Sequence, residues 1–212
     1  MSDERLRDRD RNEIDGRYRP STSRWSRRAF AQAALICAAV LAPPDALSRD
    51  ASPPQVSVEH DEDASAARVS ASIDISAPPQ TVYAVMVDCA LALRIVTGLE
   101  SCRVIERSAD GKWDVREHII SVSFLLPRVR NVFRSEYDQD RRIRFRRVGG
   151  DLRVSDGEWH LQPLAGGTRV TYGAHVALSV PVPGLLVREV IRYDIPNTLI
   201  ALRRESLEGR RK

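Results

Sequence analysis

The sequence predicts an α+β fold in which a curved antiparallel sheet closes around a long C-terminal helix. Three observations carry this expectation. Residues 183–207 set Leu186, Val190 and Ile191, then Ile195, Leu199 and Leu202, at three- and four-residue spacing. Arg188, Glu189, Arg192, Arg203 and Arg204 fill much of the other side, as in an amphipathic helix. Between residues 102 and 180 the chain breaks into short alternating segments parted by Asp110-Gly111, Gly149-Gly150 and Gly166-Gly167. Only two short helical pieces precede these strands. A long helix after a run of antiparallel strands buries its apolar stripe by covering one face of the sheet.

The N-terminal quarter reads differently. Residues 1–28 are polar and dense in Arg and Asp, and an alanine-rich apolar run, residues 29–42, follows. That run has the length of a signal-peptide core and falls short of the roughly 20 residues of a membrane-spanning helix. Ser26-Arg27-Arg28-Ala29-Phe30 resembles the twin-arginine export signal, and Ala46-Leu47-Ser48 offers a small-x-small cleavage site. Residues 1–48 are therefore expected to be an export signal, with the mature protein beginning near Arg49 in the periplasm. The alternative is an arginine-rich tail followed by a short helix. Residues 49–65, rich in Pro, Ser and acidic side chains, are expected to be a disordered linker. Residues 66–208 form the domain, and residues 209–212 a basic tail.

Within the domain, residues 67–76 alternate Val69, Ala71, Ile73 and Ile75 with polar neighbours, which predicts a half-buried strand. Pro78-Pro79 ends it. Residues 80–89 place Val82, Val85, Met86 and Cys89 on one helical face, and residues 90–95 add a second short helix. Six strands are then expected at 102–107, 113–124, 131–137, 142–148, 157–163 and 168–180. Pro181 leads into the last helix, where Pro196 predicts a kink or short break.

Several chemistries find no support. No Cys or His spacing suits zinc, and no phosphate-cradling loop, nucleophile elbow or cofactor motif is present. The net charge of +4 is mildly basic, but Arg142, Arg144 and Arg146 lack interleaved exposed aromatics, so no nucleic-acid partner is expected. Cys89 and Cys102 could pair in an oxidising compartment if their Cα atoms lie close enough.

Ile73-Asp74-Ile75-Ser76-Ala77-Pro78, followed by Val82-Tyr83, resembles the opening of the START-like or SRPBCC superfamily. So do Gly157-Glu158-Trp159-His160-Leu161-Gln162-Pro163-Leu164 and Gly167-Thr168-Arg169-Val170-Thr171-Tyr172, similar to that family's hairpin, and Val182-Pro183-Gly184 before the last helix. The nearest branch looks like the polyketide cyclase/dehydrase and lipid-transport proteins, with the coenzyme Q-binding START-like proteins. An aromatic run of the coenzyme Q type is replaced here by residues 91–96, so quinone specificity does not carry over.

The resemblance implies a helix-grip fold with an apolar cavity between sheet and last helix. Strand parity then nominates Trp113, Val115, Ile143, Phe145, Trp159, Leu161 and Tyr172, with Val190 from the helix, as its lining. The same parity turns Glu117 and Arg147 inward, to be paired or to serve a ligand, unless a bulge returns both to solvent. His118, His160 and His175 fall on the polar faces and read as surface residues. The partner expected is a lipid or other small hydrophobic molecule. A cyclase/dehydratase using Glu117 or Tyr172 as acid/base is the alternative. Phe124, Leu125 and Leu126, with Arg128 and Arg130 beside them, either form a tip that touches an anionic membrane or pack under the last helix.

Overall fold

The computed structural model describes residues 52–60, 66–121, 128–179 and 184–209; of His60 and residues 184–187 it describes the backbone alone. Eight strands form one curved sheet in the order β1-β2-β8-β7-β6-β5-β4-β3, every pairing antiparallel. The strands are β1 (Gln55–His60), β2 (Ala66–Ile75), β3 (Leu99–Arg107), β4 (Trp113–Ile120), β5 (Val129–Asp138), β6 (Arg142–Gly150), β7 (Leu152–Leu164) and β8 (Gly167–Leu178). Three helices complete the domain: α1 (Pro79–Val87), α2 (Cys89–Ile95) and α3 (Gly184–Gly209).

The alternation expected in β2 is observed, with Val69, Ala71, Ile73 and Ile75 buried between more exposed neighbours. Its end is closed by β8, where the buried Thr168 hydroxyl donates to the Ala77 carbonyl at 2.7 Å. Pro79 opens α1, where its missing N–H costs nothing. Asp88 caps α2, accepting the N–H groups of Ala90 (2.7 Å) and Leu91 (3.2 Å) on one carboxylate oxygen. Cys89 and Cys102 are bonded to each other, with Cα atoms 5.5 Å apart, and so tie the start of α2 to β3.

Two expectations are corrected. The stretch read as a linker contains β1, because Val56 and Val58 alternate well enough to add an edge strand to β2 despite the neighbouring prolines and acids. Of the kink or short break expected at Pro196, the break is absent: the last helix is a single element there. Proline removes one backbone donor there, and the turn is braced from outside: the Thr97 hydroxyl donates to the Asp194 carbonyl (3.4 Å), and the Thr97 N–H to Thr198 Oγ1 (3.3 Å).

The helix and sheet pack dry at one end and apart at the other. Leu199 and Leu202 of α3 meet Val82 and Val85 of α1, Ile73 and Ile75 of β2, Leu161 of β7 and Val170 of β8 in one buried cluster. Further along the same concave face, α3 stands off β4, β5 and β6, and a cavity opens.

Candidate functional site: the cavity between sheet and last helix

The cavity holds about 320 Å³. Its floor is an aromatic row that takes one ring from each of five neighbouring strands. His118 of β4 stands edge-on to Phe133 of β5 at 4.8 Å, and Phe133 to Phe145 of β6 at 6.1 Å. Phe145 stacks with Tyr172 of β8 at 6.2 Å, and Tyr172 meets Trp159 of β7 at 4.2 Å with the rings tilted by 33°. Ile95, Val96 and Thr97 close one side, and Asp194, Ile195 and Thr198 of α3 form the roof.

Of the residues nominated from sequence, Ile143, Phe145, Trp159 and Tyr172 line this space. Leu161 lies in the dry cluster instead, and Val190 is half-buried on α3 outside the lining. Trp113, Val115 and Glu117 are on the opposite face of β4, since Arg116, His118 and Ile120, which alternate with them, are the lining residues. The outer face suits them. The Arg134 guanidinium covers the Trp113 ring at 3.9 Å. Glu117 accepts from Arg103 Nη2 (2.9 Å) and Arg130 Nε (2.6 Å), and these two hydrogen bonds hold its carboxyl below the usual range. Arg147 is exposed at its strand's end and donates to the Gly150 carbonyl (3.0 Å), beside the register shift between Val132 and Phe133. Phe124, Leu125 and Leu126 lie outside the described residues.

Parity failed on β4 because its inward face carries a neutralised charge pair. Asp114 is fully buried and Arg116 nearly so. Arg116 Nε reaches both Asp114 oxygens at 3.0 Å, and its Nη2 reaches Oδ2 at 3.0 Å. The Tyr137 hydroxyl donates to Asp114 Oδ1 at 2.7 Å, and Arg116 Nη2 also donates to the Val87 carbonyl at 2.6 Å. Periodicity of hydropathy cannot see such a network. Burial alone would lower the Arg116 guanidinium; the Asp114 hydrogen bond and charge more than offset it, so its pKa is raised.

Two further titratable groups belong to the cavity, one placed on the wrong face by the sequence reading and one not singled out by it. His118, read as a surface residue, faces inward, and burial, aided by the Arg116 charge, pushes its imidazole down to about 4. Asp194 carries a carboxylate with no hydrogen bond or ion pair among the described residues, and burial raises it to about 6. The Tyr172 phenol is raised by burial, which suits it to donate rather than to act as a base. Among the described residues, no three His, Cys, Asp or Glu side chains are grouped to hold a metal ion.

These shifts predict opposing pH dependences. Between pH about 4 and 6.5 the unfolded chain binds a proton at His118 that the folded protein refuses, so this residue makes stability rise with pH, by roughly 3 kcal/mol at most. Between pH about 4 and 6 the folded protein holds a proton on Asp194 that the unfolded chain has released, so Asp194 makes stability fall with pH. Urea unfolding from pH 4 to 7 should show stability rising more steeply in Asp194→Asn than in the wild type, and less steeply in His118→Gln. Unchanged slopes in both variants would contradict these environments.

The profile of the family described as polyketide cyclase/dehydrase and lipid transport matches residues 75–203. A STAR-related lipid transfer protein fragment from Xanthomonas axonopodis is similar in structure, with 18% identity, 74% of this chain and 95% of that chain covered, and a TM-score of 0.65. The Zhui aromatase/cyclase from a Streptomyces species gives 17%, 69%, 94% and 0.55. A protein from Thermus thermophilus gives 26%, 67%, 98% and 0.59. The first two likenesses establish the fold alone. No curated protein matches the chain by sequence.

Proposed function

Since this chain belongs to the polyketide cyclase/dehydrase and lipid-transport family, we propose that it is an exported binding protein holding one compact apolar molecule between its sheet and α3. The observation that carries this reading is the aromatic-floored cavity of about 320 Å³. Ligand sites run from about 300 to 1,000 Å³, so this one suits a single ring system or one short chain rather than a bulky two-chain lipid. Native mass spectrometry of protein released gently from cells should find a 1:1 adduct that is lost on denaturation. Protein that emerges empty and takes up no added apolar compound would refute the reading.

Export is supported by the Arg27-Arg28 pair before a short apolar run and by the bond between Cys89 and Cys102, which persists in oxidising compartments. A reporter active only outside the cytoplasm, fused after residues 1–55, should lose its signal when Arg27 and Arg28 are both changed to Lys. A signal that survives the change removes the twin-arginine route.

Loading from a membrane is part of the proposal. Phe124, Leu125 and Leu126 fall between β4 and β5 in the sequence, and Arg128 and Arg130 after them suit anionic head groups at roughly 1 kcal/mol each near the surface. Phe124→Ser with Leu125→Ser should reduce co-sedimentation with vesicles of anionic phospholipid. Undiminished binding by the folded variant would end the idea.

The enzymatic alternative has a specific observation in its favour, and it is not Glu117, which sits on the outer face. Asp194 is a carboxyl near pH 6 inside an apolar cavity, as a general acid/base requires. If the protein turns over a cyclisable polyketone, Asp194→Asn should abolish the step and the wild-type profile should turn near pH 6. Binding without turnover would leave the carrier reading.

A further inference from the structure

Two of the residues that line the cavity each carry a buried polar atom with no hydrogen-bond partner among the described residues: Nε2 of His118 and Oδ1 of Asn131. Native proteins leave few such atoms unpaired, because each forfeits its bond to water. These two are neighbours. His118 on β4 stands directly opposite Asn131 on β5. Directly opposed residues have Cβ atoms about 4.5–5.5 Å apart, so one small group can reach both side chains.

Each side chain is held in place. The Asn131 Nδ2 donates to Ser155 Oγ at 3.1 Å, which takes up the amide's donor end and leaves Oδ1 as the acceptor. That bond crosses from β5 to β7, and the β6 residue opposite Asn131 is Gly150, which has no side chain to intervene. No other residue fits there: Gly150 has φ +90°, and a Cβ would lie 2.2 Å from the Arg130 carbonyl oxygen. The His118 ring stands edge-on against Phe133. Its low pKa keeps the imidazole neutral at pH 7, with one N–H and one lone pair.

We propose that His118 and Asn131 form a subsite for a hydroxyl group, so that the ligand of this cavity is a hydroxylated apolar molecule: an alcohol, phenol or enol. The hydroxyl donates to Asn131 Oδ1 and accepts from His118 Nε2–H. A carboxylate would be repelled by Oδ1, a ketone has no proton for it, and a methyl group leaves both atoms unpaired. Sites built around such a pair reject the analogue that lacks the hydroxyl. The inference rests on the cavity being the ligand site, and its test separates the two.

The probes are 2-naphthol and 2-methylnaphthalene, which differ by hydroxyl for methyl at nearly equal shape, with binding read by quenching of tryptophan fluorescence at pH 7. The preference for 2-naphthol should be about tenfold greater in the wild type than in Asn131→Leu or His118→Phe, since the transfer of each probe from water cancels in that comparison. A second readout needs no variant: the nitrogen NMR signal of His118 Nε2 should move on adding 2-naphthol and stay with 2-methylnaphthalene. Equal preference in wild type and a folded variant, or equal NMR responses, as when an internal water alone fills the gap, overturns the subsite while leaving the cavity reading intact. If neither probe binds, the cavity reading fails and the subsite with it.

Discussion

Replacing Asp114 by Ala is expected to lower stability by about 3–5 kcal/mol. Asp114 is fully buried, and its carboxylate is the counter-charge of Arg116 and the acceptor of the Tyr137 hydroxyl. Removing it leaves a guanidinium inside the domain with no anion against it. Arg107, the other nearby cation, is 3.6 Å from Asp114 Oδ2 and would lose its partner too. With a urea slope of about 1–3 kcal/mol/M, the unfolding midpoint should fall by at least ~1 M. Changing both partners together, Asp114→Leu with Arg116→Met, should be milder than Asp114→Ala, because no charge is then stranded. A loss below about 1 kcal/mol in the single variant would mean that Arg116 finds water or another anion, contrary to the described network.

Breaking the bond between Cys89 and Cys102 should cost about 3 kcal/mol, a figure set by a loop of this length in the chain-entropy view. For a domain of this size that is on the order of 10 °C in Tm. Cys102→Ser should match the reduced wild type and be insensitive to added reductant. The loss should also reach the cavity, because α2 begins at Cys89 and supplies Ala92 and Ile95 to the wall. Equal melting with and without reductant would show that α2 is held by other contacts, such as the ion pair of Arg94 with Glu205 on α3.

Much of this architecture is legible in the sequence, and the reasons differ by element. β2 and the β7–β8 hairpin declare themselves because each buries one face, and because Pro78-Pro79 ends the first and Gly166-Gly167 turns the second. Gly167 could hold nothing else, since a Cβ there would lie 2.3 Å from the Ile75 carbonyl oxygen. The inward rings of β6, β7 and β8 follow from simple parity. β4 does not, because Asp114 and Arg116 neutralise each other and so take the buried face from Trp113 and Val115. That single inversion hid His118, and with it the histidine end of the aromatic row. Phe133 and Asn131 belong to a strand whose inward face, Asn131, Phe133, Ser135 and Tyr137, is mostly polar and shows no apolar stripe. Asp194 was invisible for the complementary reason: a lone carboxylate near the apolar stripe of an amphipathic helix reads as solvated until the distance between helix and sheet is known. β1 was masked by its setting of prolines and acids.

The central claim is that the space between the sheet and α3 holds the ligand. Native mass spectrometry of the wild type beside Ala92→Phe tests it most directly. Ala92 is buried and lines the cavity, so a phenyl ring at this position is expected to take up space that the ligand would fill. The account predicts a 1:1 adduct on the wild type and none on the folded variant. An adduct of equal mass and occupancy on both proteins would place the ligand elsewhere and contradict it.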